Sequence, residues 1–231
     1  MKAMILAAGR GERMRPLTDT LPKPLLQVAG KSLIEYHIDA LVKAGITELV
    51  INHAWLGEKI EARLGDGERY GAIIQYSREG QALETAGGIK NALKLLGDEP
   101  FIAVNADVFT DYAFTQLRVL PIEQPVHLVL VNNPEHHPEG DFYCLNHHVF
   151  DTLVSDDSQQ RHKRYTFSGI ARYSPEFFHP IKAGKQALAP LLRAAMAKQQ
   201  VSGEIHQGLW LDIGTPQRLQ ELNNNFDYTE N

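Results

Sequence analysis

The chain has 231 residues, a formal net charge of −5 and 43% hydrophobic residues, a composition typical of a folded globular protein that is not a general nucleic-acid binder. A single cysteine excludes an intrachain disulfide and a cysteine-built zinc site. With only one cysteine, we expect a reducing, cytoplasmic setting. No segment has the roughly 20 apolar residues of a membrane helix, so we expect no membrane partner.

The first part of the chain alternates compact apolar runs with helical periods. Strands are predicted at residues 4–7, 48–52, 72–77, 101–105 and 126–131, and helices at 55–64, at 85–96 and between Ser32, the predicted N-cap, and Gly45, the predicted stop. This alternation predicts βαβ units, and therefore an α/β fold with a Rossmann-like, mostly parallel sheet flanked by helices. Ligands of such sheets bind at the carboxyl ends of the strands.

The second part of the chain has a different texture. It predicts a turn-rich segment at 132–141, a hairpin arm at 142–151, a polar loop at 155–164, a strand at 165–173, a helix at 188–199, a short strand at 210–213 and a last helix from Pro216 with Thr215 as its cap. We expect a single continuous domain in which this second part covers the ligand edge of the sheet.

Ten histidines invite a metal-site interpretation. The pairs at 136–137 and 147–148 are predicted to be surface or loop residues, because neighbours on a strand point to opposite faces and no His-x3-His helix accompanies them. Trp55 and Trp210 are predicted to be core aromatics rather than platforms for a stacked base.

The loop after the first strand, in LAAGRGERMRPLT at residues 6–18, combines glycines with arginines. Two glycines let backbone N–H groups approach an anion, and Arg13 and Arg15 add fork-shaped donors suited to phosphate. The dinucleotide-binding pattern fails because Met14 stands where that motif has its third glycine. A plain turn with solvated arginines is the other interpretation of the loop alone.

The longer segment LAAGRGERMRPLTDTLPKPL resembles the signature of the sugar-1-phosphate nucleotidyltransferases. The matching residues are Gly9, Gly11, Arg13, Pro16, Thr18, Pro22, Lys23 and Pro24. The resemblance implies a GT-A-like nucleotidyltransferase fold in which the loop from Leu6, Ala7 and Ala8 through the glycines wraps a nucleoside triphosphate. It also implies that Arg13 grips the outer phosphates and that Lys23 neutralises charge at the reacting phosphate.

Transfer of a nucleotidyl group joins two anionic reactants, so their repulsion must be screened. Mg²⁺ does this with hard oxygen ligands, commonly one or two carboxylates. Asp107 and Asp212 each follow or end a predicted strand and could meet at the sheet edge, although either alone could be a turn residue. The family resemblance implies that both hold the metal and that Asp107, with Arg13 and Lys23, is catalytic.

Two further regions resemble family segments for the base and the sugar. REGQALETAGGIKNAL resembles the part that cradles the base, which assigns nucleotide contacts to Glu84, Thr85, Gly87 and Gly88. Asn105 is expected near the nucleoside or the sugar. The resemblance also places the sugar against Gly140, Asp141, Ser168 and Gly169, although the Gly-Asp pair is equally a common turn.

Segments over nearly the whole chain narrow the resemblance to a uridylyltransferase branch of peptidoglycan recycling. They are INHAWLGEKIEARLGDG, EGDF, TFSGI, LAPLLRAAM and VSGEIHQGLWLDIGTPQRL. This implies UTP and a sugar 1-phosphate as substrates, a nucleotide-binding half at about 1–131 and a small sugar-binding lobe at 132–231. The sequence leaves the oligomeric state open, and a monomer is compatible with it.

Three alternatives remain open on the sequence. A mannose-1-phosphate guanylyltransferase or another hexose-1-phosphate nucleotidyltransferase would use the same loop, lysine and acids. A nucleotide-sugar-binding regulatory subunit would have the fold without catalysis. A dehydrogenase-like domain would bind NAD instead.

Overall fold

Strands and helices alternate along the chain in a computed structural model, which describes residues 1–121, 123–152 and 163–225. The strands are β1 (Ala3–Leu6), β2 (Gln27–Val28), β3 (Lys31–Ser32), β4 (Glu48–His53), β5 (Ile73–Arg78), β6 (Phe101–Asn105), β7 (Val108–Thr110), β8 (Val126–Val131), β9 (Phe142–Leu145), β10 (His148–Phe150), β11 (Arg164–Tyr173), β12 (Val201–His206) and β13 (Trp210–Asp212). The helices are α1 (Leu33–Lys43), α2 (Gly57–Leu64), α3 (Glu84–Leu96), α4 (Thr115–Val119), α5 (Leu188–Met196) and α6 (Pro216–Asn225). No described helix is long and apolar enough to cross a membrane.

Local sequence signals explain where α1 begins and ends. Ser32 and Glu35 form a capping box, in which the Glu35 carboxylate accepts a hydrogen bond from the Ser32 backbone N–H at 3.1 Å. Gly45 follows the helix with a φ of 76°, the left-handed conformation that stops a helix at low energetic cost. Both predicted boundaries of α1 are therefore confirmed.

The main sheet has nine strands in the order β5-β4-β1-β6-β11-β8-β12-β10-β9. The strands β5, β4, β1 and β6 pair in parallel, as the βαβ pattern predicts. The expectation of a mostly parallel sheet does not hold beyond them, because β11 pairs antiparallel with both β6 and β8, and β10 pairs antiparallel with β12 and β9. The connection between β9 and β10 is a hairpin, whereas β12, which follows α5, pairs in parallel with β8.

The core lies on both faces of this sheet. On one face, Ile34 and Ile38 of α1 pack against Ile5 of β1. On the other face, Ile89 of α3 and Leu192 of α5 join one apolar cluster with strand side chains. The predicted α/β architecture with helices flanking the sheet is thus confirmed.

A second, two-stranded sheet pairs β13 with β7 in antiparallel register. A small apolar cluster next to this sheet contains Phe109 of β7 and Ile213, which follows β13. It also contains Met14 of the glycine-rich loop and Leu219 of α6. This packing ties the N-terminal loop to the segments that carry Asp107 and Asp212, although these are distant in sequence.

Several predicted boundaries differ from the observed ones. α2 begins at Gly57 rather than residue 55, because Leu56 has a left-handed backbone, and α5 ends at Met196 rather than 199. The hairpin arm at 142–151 is confirmed as β9 and β10. Of the predicted polar loop, residues 155–162 lie outside the described residues. The two halves of the sequence interleave in space, since β11 lies between β6 and β8.

Candidate active site

A cavity of about 390 Å³ opens at the carboxyl ends of β1, β4 and β6. This is the sheet edge at which the α/β pattern predicts a ligand. Its lining comes from the loop after β1, the start of α3, the segment after β6 and one lysine from the second half of the chain. The lining residues are Leu6, Ala7, Ala8, Gly9, Lys23, Pro24, Asn52, Ala82, Glu84, Thr85, Asn105, Ala106, Asp107 and Lys185.

Lys23 and Asp107 form an ion pair in the cavity wall. The Lys23 Nζ lies 2.5 Å from Oδ2 of Asp107, and the lysine side chain is only 10% exposed. Pro22 and Pro24 flank the lysine, so two φ-restricted residues hold its backbone. An almost buried ammonium in this position is a fixed point charge, as the predicted phosphate-binding role requires.

Asp212 ends β13 of the small sheet, and Asp107 directly precedes the partner strand β7. Asp212 stands opposite Val108 in the register of β13 and β7, and the backbone N–H of Ile213 donates to the carbonyl oxygen of Asp107 at 2.8 Å. The Asp212 carboxylate is paired with Arg218 at 2.5 Å and with the Nε2 of His136 at 3.0 Å. The predicted convergence of the two acids is therefore present in the structure.

The glycine-rich loop places Arg13 near Gly214, two residues after Asp212, rather than in the cavity wall. Gly11 has a φ of 68°, and a Cβ there would lie 3.0 Å from Cγ2 of Thr18, whose hydroxyl donates to the Gly11 carbonyl oxygen at 2.7 Å. The turn that follows exposes Arg13, with its Nη2 3.6 Å from the position that a Cβ on Gly214 would take. Among the described residues, the Arg13 side chain has no hydrogen-bond or ion-pair partner.

Gly9 lines the cavity, and a Cβ added there would meet no protein atom within 4 Å. The space that its missing side chain leaves is therefore open to a ligand. The ammonium of Lys23 lines the same cavity, so an anion in this space would face a cation and open backbone.

The entrance of α3 forms another wall of the cavity through Glu84 and Thr85. Glu84 has a φ of 59°, which is unusual for a residue with a side chain and is strained by about 1–3 kcal/mol. Its carboxylate lies 3.3 Å from the Nζ of Lys185, which lines the same cavity. The sequence reasoning did not single out Lys185, because nothing in the local sequence links it to a nucleotide motif.

The predicted direct contacts of Gly87 and Gly88 with a base are not supported by their positions. Both glycines are buried and lie outside the cavity lining. A Cβ on Gly87 would lie 2.2 Å from the carbonyl oxygen of Gly184, and a Cβ on Gly88 would lie 2.7 Å from Oε1 of Glu79. The missing side chains of both glycines therefore allow close packing behind the wall.

Asn105 is the member of the predicted sugar-binding set that lines the cavity. Behind it β11 has a bulge between Phe167 and Ile170, where Gly169 has a φ of 78°. A Cβ on Gly169 would lie 2.5 Å from Nδ2 of Asn105, so the glycine makes room for that side chain. Gly169 thus leaves room for the Asn105 side chain and is not among the residues that line the cavity.

Ser168 is 1% exposed, and its hydroxyl is used inside the bulge. It donates to the carbonyl oxygen of Val129 at 2.7 Å and accepts from the backbone N–H of Ile170 at 3.1 Å. The prediction that this hydroxyl binds a sugar is therefore not supported.

Gly140 and Asp141 also serve the protein's own structure. A Cβ on Gly140 would lie 2.6 Å from Oδ1 of Asn133. The Asp141 carboxylate accepts from the backbone N–H of Phe167 at 2.8 Å and lies 3.1 Å from Nε2 of His137. Of the two interpretations of this Gly-Asp pair, the turn describes the structure better than the sugar contact.

His37 lies directly behind the acids on α1 and is buried. Burial lowers its pKa to about 4, against the raising effects of its bond to the backbone of Val108 and of the charge on Asp107. The imidazole is therefore neutral at pH 7, and Lys23 supplies the positive charge that faces Asp107.

The predicted core position of Trp55 is wrong, because this side chain is 36% exposed and lies under the guanidinium of Arg10 at 3.4 Å from ring centroid to Cζ. Trp210 is half-buried, and its indole N–H donates to the carbonyl oxygen of Ser168 at 2.9 Å. His136 contacts Asp212. Among the described residues, neither histidine pair belongs to a group of three or more side chains that could bind a metal.

Comparison with known proteins gives one family and several relatives. A family model for nucleotidyl transferases matches residues 2–228. The N-acetylmuramate alpha-1-phosphate uridylyltransferase of Neisseria meningitidis serogroup B is 56% identical over 227 residues, which cover 96% of each chain. The protein of the same name from Caulobacter vibrioides is 35% identical and covers 93% of this chain and 92% of its own.

Among solved structures, a Bacillus anthracis protein described as a candidate glucose-1-phosphate thymidylyltransferase superposes with a TM-score of 0.82. The match covers 97% of this chain and 94% of the other at 20% sequence identity. At that identity the likeness concerns the fold alone, and it agrees with the predicted nucleotidyltransferase architecture.

Proposed function

Because the chain belongs to the nucleotidyl transferase family, we propose that it transfers a uridylyl group from UTP to N-acetylmuramate α-1-phosphate and releases pyrophosphate. The observation that carries this proposal is the cavity in which Lys23, Asp107 and the open space at Gly9 meet, with Asp212 and Arg13 beside it. The choice of substrates rests on the relative that is 56% identical over 96% of the chain.

In this assignment the triphosphate lies against Gly9, Lys23 and Arg13. Backbone N–H groups of the loop and two cations then face its oxygens, which favours an extended polyanion. The base lies toward Ala82 and Thr85 at the entrance of α3. The cavity joins these regions without interruption, so a single nucleotide spans both.

The two carboxylates fit Mg²⁺ as the cofactor. Asp212 ends β13 and Asp107 directly precedes its partner strand β7, so both carboxylates can supply hard oxygen ligands at the same place. This matches the preference of Mg²⁺ for one or two carboxylates, with phosphate oxygens and water in the remaining positions. When bound, the ion would neutralise charge on the phosphates.

The protein's own part in the reaction is positioning and charge stabilisation. An oxygen of the sugar phosphate attacks the α-phosphorus of UTP, and the bond between the α-phosphorus and its bridging oxygen breaks as pyrophosphate leaves. Lys23 faces the negative charge that accumulates at the reacting phosphate, and Arg13 faces the departing one. The attacking oxygen is already anionic, so no general base is required.

We assign the acceptor to the side of the cavity formed by Asn105, because this residue lines the cavity and ends β6, the strand that Asp107 follows. The Asn105 amide offers both a donor and an acceptor for sugar hydroxyl groups. Gly169 leaves the space that this amide occupies, because a Cβ there would collide with it.

Pyrophosphate release measured with each of the four nucleoside triphosphates and each of several sugar 1-phosphates tests the proposal. UTP with N-acetylmuramate α-1-phosphate should give the highest kcat/KM. A higher value for GTP with mannose 1-phosphate would replace our assignment by a guanylyltransferase. Binding without turnover of any pair would favour the regulatory-subunit alternative.

Removal of divalent ions by EDTA should abolish pyrophosphate release, and added Mg²⁺ should restore it. Turnover that is unchanged in EDTA would contradict the metal assignment.

We also place the reaction in peptidoglycan recycling in the cytoplasm, since N-acetylmuramate is a peptidoglycan sugar. Accumulation of N-acetylmuramate α-1-phosphate in cells lacking the protein is the expected result.

A further inference from the structure

Two buried polar side chains at the cavity wall have no role in the mechanism above, and one of them, Asn52, is itself a lining residue. Asn52, the penultimate residue of β4, is 3% exposed, and Glu79, which follows β5, is 7% exposed. Both lie between the loop after β1 and the entrance of α3.

The hydrogen bonds of this pair connect those two walls. Oδ1 of Asn52 accepts from the backbone N–H of Ala7 at 2.9 Å, and Nδ2 of Asn52 donates to Oε1 of Glu79 at 2.7 Å. The other carboxylate oxygen of Glu79 accepts from the backbone N–H of Leu83 at 2.9 Å. The orientation of the amide is fixed, because a backbone N–H only donates and a carboxylate only accepts.

The packing of α3 leaves no space for this pair to move. A Cβ on Gly88 would lie 2.7 Å from Oε1 of Glu79 and 2.8 Å from Nδ2 of Asn52. Gly88 therefore lets the helix approach the pair directly. This gives a physical reason for a glycine inside α3, where it costs about 1 kcal/mol relative to alanine.

Stability alone does not account for Glu79. Within the described residues no lysine, arginine or histidine lies within ion-pair distance of its carboxylate, and its hydrogen-bond donors are uncharged. A buried carboxylate without a cation is expensive, and an apolar pair of similar volume is often at least as stable. Its distinctive property is that it joins the amide of Asn52 to the backbone of Leu83.

We propose that Asn52 and Glu79 are positioning residues, which fix the separation between the phosphate loop at Ala7 and the base-side entrance at Leu83. Neighbours of both ends line the cavity, with Ala8 and Gly9 on one side and Ala82 and Glu84 on the other. The pair thus sets the width of the nucleotide site. This inference rests on the proposed function, because it takes the cavity to be the nucleotide site.

An exchange of the two functional groups tests the connection directly. Asn52→Asp places two carboxylates face to face, and Glu79→Gln leaves two donors facing each other at one of its two bonds. In the double variant, the new carboxylate at position 52 accepts from Ala7 and from the new amide at position 79. The amide oxygen at position 79 accepts from the backbone N–H of Leu83. Every hydrogen bond is then restored, and the negative charge has moved from position 79 to position 52.

We expect each single variant to raise the KM and the calorimetric Kd for UTP about tenfold, with kcat and the KM for the sugar phosphate within about threefold of wild type. The double variant should return the UTP values to within about threefold of wild type. Asn91→Ala is the matched control, since it removes a side-chain hydrogen bond from α3 to Ser77 of β5 without touching the cavity, and it should leave the UTP values unchanged.

A merely structural role would lower the melting temperature of the single variants and leave the ratio of the KM for UTP to the KM for the sugar phosphate as in wild type. Single variants that bind UTP like wild type, or a double variant as weak as either single one, would overturn the proposal. If a single variant does not fold, Gly88→Ala gives the same test by displacing the pair, with about tenfold weaker UTP binding expected and unchanged binding contradicting us. A wild-type protein that neither binds nor uses UTP would refute the proposed function instead.

Discussion

Two groups of predicted site residues fare differently in the structure. The cavity group, Gly9, Lys23, Asn105 and Asp107, lines one cavity. The second set, called the bulge group, contains Gly140, Asp141, Ser168 and Gly169. Its two polar side chains bond to other parts of the protein, and its two glycines leave room for neighbouring asparagine side chains.

The difference follows from the strands that carry each group. Parallel strands end at the same edge of the sheet, so residues after β1 and β6 must meet, whatever their separation in sequence. Ser168 and Gly169 lie in the register shift of β11, and Gly140 and Asp141 lie in the turn before β9, where backbone groups without ladder partners need other partners. Side chains such as Asp141 and Ser168 supply those partners, and a motif alone does not reveal that they are occupied.

An acid-to-amide change in each group gives the largest expected contrast. Asp107→Asn removes a proposed metal ligand and the partner of Lys23, so we expect kcat to fall about 10³-fold. Asp141→Asn should instead lower the free energy of unfolding by about 1–2 kcal/mol and leave kcat within about threefold of wild type. Steady-state pyrophosphate release and urea unfolding measure the two effects.

Equal losses of kcat in the two aspartate variants would break the distinction between the groups. A Mg²⁺ titration of any residual activity in Asp107→Asn adds a second criterion. The concentration for half-maximal activity should rise, because one of two carboxylate ligands has been lost.

Lys23→Gln tests the charge of the cavity group without removing a metal ligand. We expect kcat/KM to fall about 10²-fold, since a buried point charge at the reacting phosphate is lost. Lys90→Gln is a matched control outside the cavity, where the ammonium binds the carbonyl oxygens of Phe178 and His179. Comparable activity losses in both lysine variants would contradict the role of Lys23.

Glycine-to-alanine changes compare the support that each group receives. Gly169→Ala and Gly140→Ala both place a Cβ at positive φ and against an asparagine side chain, so each should lower the free energy of unfolding by about 1–3 kcal/mol. Only Gly169→Ala displaces Asn105, and we expect it to raise the KM for the sugar phosphate about tenfold. Identical KM values in the two variants would remove Asn105 from the acceptor site.

Ser168→Ala should have the smallest effect on catalysis. It removes the bonds to Val129 and Ile170, which should lower the free energy of unfolding by about 1 kcal/mol. The KM for the sugar phosphate should stay within about twofold of wild type, as measured in the same assay. A tenfold increase would restore the original prediction that this hydroxyl binds the sugar.

The sequence predicted the features that depend on local periodicity and on strand direction. The boundaries of α1 follow from Ser32 and Gly45, and the meeting of Lys23 with Asp107 follows from parallel topology. The sequence predicts that Asp212 and Asp107 meet at the sheet edge, but it does not predict the pairing of β13 with β7 that brings them together. Antiparallel register between distant segments has no local signal.

Features that depend on three-dimensional packing were missed. Glu79 looks like a surface acid in a polar segment, and Lys185 lies in a loop without a motif. Asn52 had one available signal, because it occupies the end of the predicted strand ELVIN, where polar side chains face the ligand edge. The roles of Gly87 and Gly88 were assigned to ligand contact because the sequence cannot show which neighbour a missing Cβ accommodates.

The central claim is that Asp107 and Asp212 act together on one nucleotide-bound divalent ion. The most direct test is a crystal structure with UTP and Mn²⁺, in which anomalous scattering locates the metal. We predict a single peak at about 2.1 Å from a carboxylate oxygen of each aspartate, the usual distance for a small divalent ion with octahedral oxygen ligands. A metal bound to the triphosphate but away from both carboxylates would contradict the account.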